Sequence, residues 1–512
     1  MAESTPTTTT NGQATPSALP LDSREYAEYL TAQDPLKHLR AEFFIPSKAD
    51  LARETLPGND HTTTTTTTTA SHDESVYLCG NSLGLQPRRV SQRLQQYLST
   101  WATQGVQGHF KPLKDSPLPA WLQADDAAAK AMAPIVGAAP AEIAVMETLT
   151  ANLHFILSAF YRPDVGGRHK IIIESKAFPS DHFAVESQIR HHNLNPSTSM
   201  ITIDPPTGTS LLPTSHILAT IDEHASTTAV LLLPGIQFYT GQLLDIKTIT
   251  AYAQARGIFV VWDLAHAVGN VPLQLHDWNV DAAAWCTYKY LNSGPGAIGG
   301  MFVHERNSRV TTTTTSNGAT NGEKKEGEEK EFHPRLAGWW GSDKKTRFAM
   351  TNDFSPIPGA GGFQVSNPST NDLTTVCASL EVFNLTSIAE LRKKSLGLTA
   401  YLEQRLLALQ KKSGGFKIIT PSNPEERGAQ LSVQLEEGLL EGVMAELVRW
   451  GVIVDERMPD VIRVAPAPIY NNAVDVWRFM DEFEKALGVV REGRDGGKGN
   501  GEGGEVEKVV TN

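Results

Sequence analysis

The feature that most constrains this chain is an apolar run that stops on a carboxylate. Gly257-Ile258-Phe259-Val260-Val261-Trp262 reads as a buried strand, and Asp263 ends it, followed by Leu264-Ala265-His266. Taking a carboxylate out of water is costly without a compensating partner. Asp263 therefore needs one. After a second apolar run, Ala282 to Thr287, comes Tyr288-Lys289-Tyr290 and a glycine-rich turn, Asn292-Ser293-Gly294-Pro295-Gly296. A lysine in such a setting is rarely fully buried unless it is paired.

Runs of the same character recur along the chain. Lys170 to Glu174, Ser199 to Ile203, Ala229 to Leu233, Ile258 to Trp262, Ala282 to Thr287 and Ala297 to Val303 read as strands. Helical patterns lie between several of them, at Ser180 to His192, Thr214 to Glu223 and Ile246 to Arg256. This alternation is that of α/β architecture with a mainly parallel sheet. Near-continuous apolar strands mean that helices cover both faces. From Ser369 the pattern changes. A helical stretch, Asp372 to Leu409, leads to short strands at Phe416 to Ile419, Ala429 to Leu435, Val452 to Val454 and Val461 to Val464. Helices are expected near Val443 to Trp450 and Val474 to Leu487, which makes a smaller α+β domain.

The expected organisation is therefore a disordered tail over 1–20, an N-terminal segment with the large domain over 21–368, a small C-terminal domain over 369–490, and a disordered tail over 491–512. Low-complexity insertions near 60–71 and 311–331 interrupt the large domain. Both are threonine-rich, the second with a Lys/Glu stretch, and neither carries enough apolar surface to offset ordering entropy. A net charge of -12 argues against nucleic-acid or anionic-membrane partners. Three cysteines, Cys79, Cys286 and Cys377, suit a reducing compartment without a disulfide framework. Residues 1–20 have neither the basic start nor the apolar centre of a signal peptide. No apolar run approaches the roughly 20 residues of a membrane span. A soluble cytoplasmic protein is expected.

A strand-end Asp and a downstream Lys are what pyridoxal phosphate (PLP) chemistry requires. The lysine amine forms a Schiff base with the aldehyde. The carboxylate pairs with the pyridinium nitrogen so that the ring can take up electrons. Glu147-Thr148-Leu149-Thr150-Ala151-Asn152 precedes a helical run, Leu153 to Tyr161, where hydroxyls and backbone N–H groups suit an anion; on its own the stretch reads better as an ordinary helix cap. Phe178-Pro179-Ser180-Asp181 follows a strand, where α/β sheets place ligand loops. Phe178 there suits a flat ring equally as it suits a core. His266 is placed to orient Asp263. Tyr288 is a candidate proton donor. Arg463, inside an apolar strand, fits a carboxylate or a structural ion pair. Trp339 and Trp340 sit between glycines in a loop. His191-His192 lacks a partner cluster, and no metal is assigned.

Taken together, these residues resemble the kynureninase family of the aspartate-aminotransferase superfold. The matching strings run from about Val76 to Pro468 and include Gly80 to Pro87, Leu149 to His154, Ala177 to His182, Asp263 to Asn270, Tyr288 to Asn292, Gly338 to Gly341, Ser366-Asn367-Pro368 and Arg463 to Pro468. The resemblance implies PLP fold type I and hydrolysis of L-kynurenine or 3-hydroxy-L-kynurenine to anthranilate or 3-hydroxyanthranilate plus L-alanine, in tryptophan catabolism and NAD biosynthesis. It implies that Lys289 carries PLP, that Asp263 pairs the ring nitrogen with His266 in support, and that Phe178 stacks on the ring. Leu149, Thr150, Tyr288 and Trp339 then lie at the phosphate, with Pro179, Ser180, Asp181 and Asn367 also in the cofactor site. Ser82, His109, Asn367 and Arg463 take the substrate, Arg463 by its α-carboxylate. A homodimer sharing its active sites is expected. Pro234 departs from the pattern, because it has no N–H or hydroxyl to give where relatives often have a serine.

Three rivals are a cysteine desulfurase, an aminotransferase of the same superfold and a catalytically silent scaffold. A desulfurase needs a thiol on a mobile loop after the lysine. The only cysteine there, Cys377, sits in a helical apolar pattern.

Overall fold

The computed structural model describes residues 19–55, 74–316 and 326–497. Its centre is a seven-stranded sheet: β1 (Ile143–Val145), β2 (Lys170–Glu174), β3 (Met200–Ile203), β4 (Thr228–Pro234), β5 (Phe259–Asp263), β6 (Ala282–Trp285) and β7 (Gly300–Val303). They lie in the order β1-β7-β6-β5-β4-β2-β3. The pairs from β6 through β3 are all parallel, and β7 is antiparallel to both of its neighbours. The sheet is thus mainly parallel, as expected.

The strands read as unbroken apolar runs because both faces are covered. Leu231, Leu233, Val260 and Trp262 enter one core, while Val230, Leu232 and Val261 enter the other. Strand side chains alternate between faces, so an amphipathic pattern would have left one face wet. Helices α4 (Leu149–Phe160) and α5 (Pro179–His191) follow β1 and β2 on one side. Before them run α1 (Arg24–Gln33), α2 (Arg88–Gln104) and α3 (Ala124–Val136); after them come α6 (Thr214–His224) and α7 (Ile246–Gln254).

The smaller unit is an antiparallel sheet of β8 (Phe416–Ile418), β9 (Leu431–Leu435), β10 (Asp455–Arg457) and β11 (Val461–Val464), in the order β8-β9-β11-β10. Helices α9 (Ile388–Ser413), α10 (Leu440–Arg449) and α11 (Ala473–Gly497) pack on it.

Several expectations need correcting. The single helical stretch from Asp372 to Leu409 is two helices, α8 (Thr370–Phe383) and α9; Ser387 caps the second by accepting the Glu390 N–H at 3.2 Å. The second threonine-rich insertion is paired: Val310–Ser316 and Glu326–Phe332 form an antiparallel ladder. Threonine is β-branched and strand-prone, and the ladder satisfies its own backbone without an apolar core. Residues 491–497, expected in the tail, belong to α11, which reaches Gly497. Residues 1–18, 56–73 and 498–512, which hold the other low-complexity segments, lie outside the described residues. The N-terminal segment packs on the smaller unit. Ala27 of α1 enters that core, and Val76–Tyr77 pairs in parallel with Val452–Ile453. No described helix is long and apolar enough to cross a membrane.

Candidate active site

At the carboxyl end of the central strands lies a cavity lined by Asp263, Lys289, Tyr288, His266, Phe178 and Asp181, with Leu149, Thr150 and Ser180 at one end. Topology explains the meeting. β5 delivers Asp263, the turns after β1 and β2 deliver the starts of α4 and α5, and the segment after β6 delivers Lys289. Ligands bind at the carboxyl ends of strands in such sheets.

Asp263 is fixed by its backbone and its neighbours. Its carbonyl accepts the Gly235 N–H at 2.7 Å, and its Oδ1 accepts the Ala265 N–H at 2.8 Å. Its carboxyl faces that of Asp181, in the first turn of α5, within hydrogen-bonding contact. Burial, and for Asp181 also the like charge of Asp263, pushes both above the ordinary carboxylate range, with Lys289 opposing. Two buried carboxyls face to face require a proton or a cation between or beside them. Asp181 Oδ1 and His266 Nδ1 are buried without a partner. Burial first, then Lys289, holds the His266 imidazole well below its ordinary value, so it is neutral. An acceptor pair lacking a positive N–H is what a protonated pyridine ring would complete, and the residues fit PLP.

The Lys289 Nζ lies 5.9 Å from the centroids of both the Phe178 and Tyr288 rings. Phe178 is edge-on to Phe238 at 5.3 Å, lines the cavity and is 40% exposed. The Tyr288 hydroxyl is pushed up by burial and then by Cys286, so it stays protonated. Behind Lys289 packs the turn that contains Ser82. Gly84 donates its N–H to the Tyr288 carbonyl at 2.9 Å. A Cβ at Gly84 would stand 2.3 Å from the Lys289 carbonyl oxygen, so only glycine fits there.

At the other end the Thr150 and Ser180 hydroxyls meet at 2.6 Å, each in the first turn of a different helix. Thr148 stands at the N-cap of α4 but its side chain makes no cap hydrogen bond. Two helix N-termini with three hydroxyls suit a phosphate. Pro234 also lines the cavity, so these hydroxyls surround the position where it contributes nothing.

Other expected residues stand apart. Arg463, on β11 and 1% exposed, pairs with Asp455 and donates to the Phe238 carbonyl at 2.9 Å. Phe238 lines the cavity, so Arg463 is one residue behind its wall. Ser82 is half-buried, and Pro179 and Asn367 are exposed. His109 packs edge-on against Trp121 at 5.1 Å, and the Trp339 N–H goes to the Arg347 carbonyl at 3.1 Å. None of Pro179, Ser82, His109, Trp339, Asn367 or Arg463 lines this chain's own cavity.

Sequence reasoning missed Glu174. It ends β2 as Asp263 ends β5, lines the same cavity and is 3% exposed. Burial first, with Asp263 adding, pushes its carboxyl up to about 8 although Gln237 donates to it at 3.4 Å. The signal was available, since it too is a carboxylate closing an apolar run. Cys377 sits in α8, its thiol pushed up to about 12 by burial, which is no setting for a desulfurase nucleophile.

Comparison with known proteins places these features. The family model for aminotransferase class V matches residues 76–357, and that for the kynureninase C-terminal domain matches residues 391–483. A "Kynureninase 1" of Chaetomium globosum is 62% identical over 441 residues, covering 84% of this chain and 86% of the relative. A "Kynureninase 2" of Neurospora crassa is 58% identical over 475 residues, covering 92% and 98%. Among solved structures, a lysine-to-alanine mutant of C-DES with glycine linked to PLP superposes with a TM-score of 0.62 at 16% identity, over 81% of this chain and 96% of that one. The apo cysteine desulfurase of Thermococcus onnurineus gives 0.60 at 14% identity, over 82% and 95%. At those identities the structures share the fold alone.

Proposed function

The chain belongs to the kynureninase family, and from that premise we infer that it hydrolyses L-kynurenine or 3-hydroxy-L-kynurenine with PLP, releasing anthranilate or 3-hydroxyanthranilate and L-alanine. The observation that carries this is the buried meeting of Asp263, Asp181, His266 and Lys289 beneath two helix N-termini. PLP supplies an electron sink for the substrate's α-carbanion. The protein does the rest. Lys289 would hold the aldehyde carbon at rest and, once the substrate amine has displaced it, would move the α-proton as a free amine. Asp263 keeps the ring nitrogen protonated, while neutral His266 supports that carboxylate. Phe178 covers the ring, and Thr150, Ser180 and the N–H groups of Leu149 and Thr150 take the phosphate. Tyr288, held protonated, gives a proton at the carbonyl that water attacks. Arg463 takes the α-carboxylate by exchanging it for Asp455. The large domain ends near residue 368, and the smaller one carries Arg463.

The reading extends to a homodimer in which a second copy completes each site. What supports it is the surroundings of His109 and Trp339. Trp101, Phe110 and Phe348 are 57%, 54% and 51% exposed, and Phe110 and Phe348 lie 6.1 Å apart. A contiguous exposed aromatic patch marks an interface. The polar His109 and Asn367 would then face the substrate's ring, which favours the hydroxylated substrate. Three free cysteines support a cytoplasmic location. The test is kcat/KM for both kynurenines on PLP-loaded protein. A higher value for 3-hydroxy-L-kynurenine supports the ring contacts. Bound PLP with neither substrate cleaved overturns the function.

A further inference from the structure

At the far end of the sheet from the cavity, three segments that never meet in sequence bring Glu142, His276 and His304 together. Glu142 precedes β1, His304 follows β7 and His276 precedes β6, so the cluster ties the ends of three adjacent strands. The Glu142 side chain is 1% exposed, that of His304 is 9% and that of His276 is 42%, so one side opens to solvent. The His276 Nδ1 lies 2.9 Å from Glu142 Oε1, and the His304 Nδ1 lies 3.6 Å from the same oxygen. One candidate ligand atom from each residue lies within 4.8 Å of the other two.

Three donor groups from separate segments converge on one point, where a cation could replace the proton that now joins them. Glu142 accepts the N–H groups of Ala139 and Glu305, both at 3.0 Å, and its two oxygens lie 2.9 and 3.0 Å from His276 Nδ1. His304 Nδ1 accepts the Arg306 backbone N–H at 3.3 Å, a long contact that a metal would replace. The Arg306 guanidinium is not the cluster's cation, because it is engaged by Asp281 and Asn279. Asp277 and Glu305 add negative charge beside His276. The two imidazoles lie nearly parallel, 17° apart with centroids at 5.0 Å, so both present their edges on the carboxylate side.

We propose that Glu142, His276 and His304 form a site for a divalent transition cation such as Zn2+, open to water on the His276 side. Two imidazoles, with the His276 proton displaced by the ion, and one carboxylate are a donor set suited to that class. The 2.9 and 3.6 Å separations from Glu142 Oε1 bracket those between ligands held about 2 Å from one metal. The ion would be structural, joining the strand ends on the face away from Lys289.

The experiment uses untagged, chelator-treated, PLP-loaded full-length protein titrated with Co2+. Expected are one Co2+ per chain with a visible band to the red of the cofactor, displacement by Zn2+, and a higher thermal midpoint. His276→Ala, at a surface position, keeps kcat but weakens Co2+ binding by about tenfold or more, and Glu142→Gln does the same wherever it folds. His191→Ala, on α5, leaves binding unchanged. Absence of saturable binding, or binding that survives His276→Ala, overturns the proposal.

Discussion

At the residue scale the active site is a problem of buried charge. Glu174, Asp181 and Asp263 share one cavity, and Lys289 is the only cationic side chain lining it. Replacing Asp263 by Asn would remove the charge proposed to hold the ring nitrogen protonated. PLP should remain bound while kcat falls roughly 10²-fold or more; absorbance of the bound cofactor alongside turnover checks both. Glu174 gives a pH prediction in the apoprotein. Its folded value of about 8 lies above the ordinary 4.5 of a free glutamate, so between them the folded state holds a proton that the unfolded state has released. Stability is unaffected below 4.5, falls as pH rises towards 8, and is then reduced by a constant amount of about 5 kcal/mol. Glu174→Gln should therefore unfold at a higher temperature than wild type at pH 8, with the gap closing towards pH 5. An equal gap at both pH values refutes it. Asp263 was legible in the sequence because a carboxylate closes an apolar strand. Glu174 closes β2 in the same way and passed unremarked because no second apolar run ending on a lysine follows it.

At the element scale, what places these residues is the register of β4 and β5 and the turns that follow the strands. Pro234 stands opposite Asp263, and Gly235 donates to the Asp263 carbonyl. The Gly84 turn buttresses Lys289 from behind. Gly84→Ala would press a methyl against the Lys289 and Asn292 oxygens, which the backbone can relieve only by moving Lys289. We expect a folded protein by circular dichroism, about 1–3 kcal/mol less stable, with PLP occupancy and kcat each reduced about tenfold; normal occupancy would show that the turn only packs. The long strands were readable because both faces are apolar. β1, at three residues, was too short to show any period. The threonine run was misread because composition reports the lack of a core, whereas its order comes from pairing within the insertion itself.

At the scale of the whole molecule, the N-terminal segment clasps the smaller unit. Arg40 bridges Glu74 at 2.8 Å and Asp475 at 2.7 Å, and Asn471 donates to the Tyr77 carbonyl at 3.0 Å. No local pattern in residues 21–80 announces that partner, since the contacts span some four hundred positions. The expected substrate residues His109 and Asn367 and the expected phosphate residue Trp339 lie outside this chain's cavity, where the proposed shared site would need a second chain. That proposal makes a quantitative prediction. Lys289→Ala and His109→Ala homodimers should each be nearly inactive. Subunit exchange between them should restore about a quarter of wild-type activity, as random pairing puts one intact site in half of the dimers. No recovery would place His109 and Lys289 in one chain's site.

The central claim is that Lys289, set against the buried Asp263 pair, performs the hydrolysis. It is tested most directly by incubating wild-type and Lys289→Ala proteins, both saturated with PLP, with L-kynurenine and measuring alanine and anthranilate together. The account predicts equimolar products from wild type and none above background from Lys289→Ala. Wild-type turnover by the variant, or wild-type protein that binds PLP and releases neither product from either kynurenine, would contradict it.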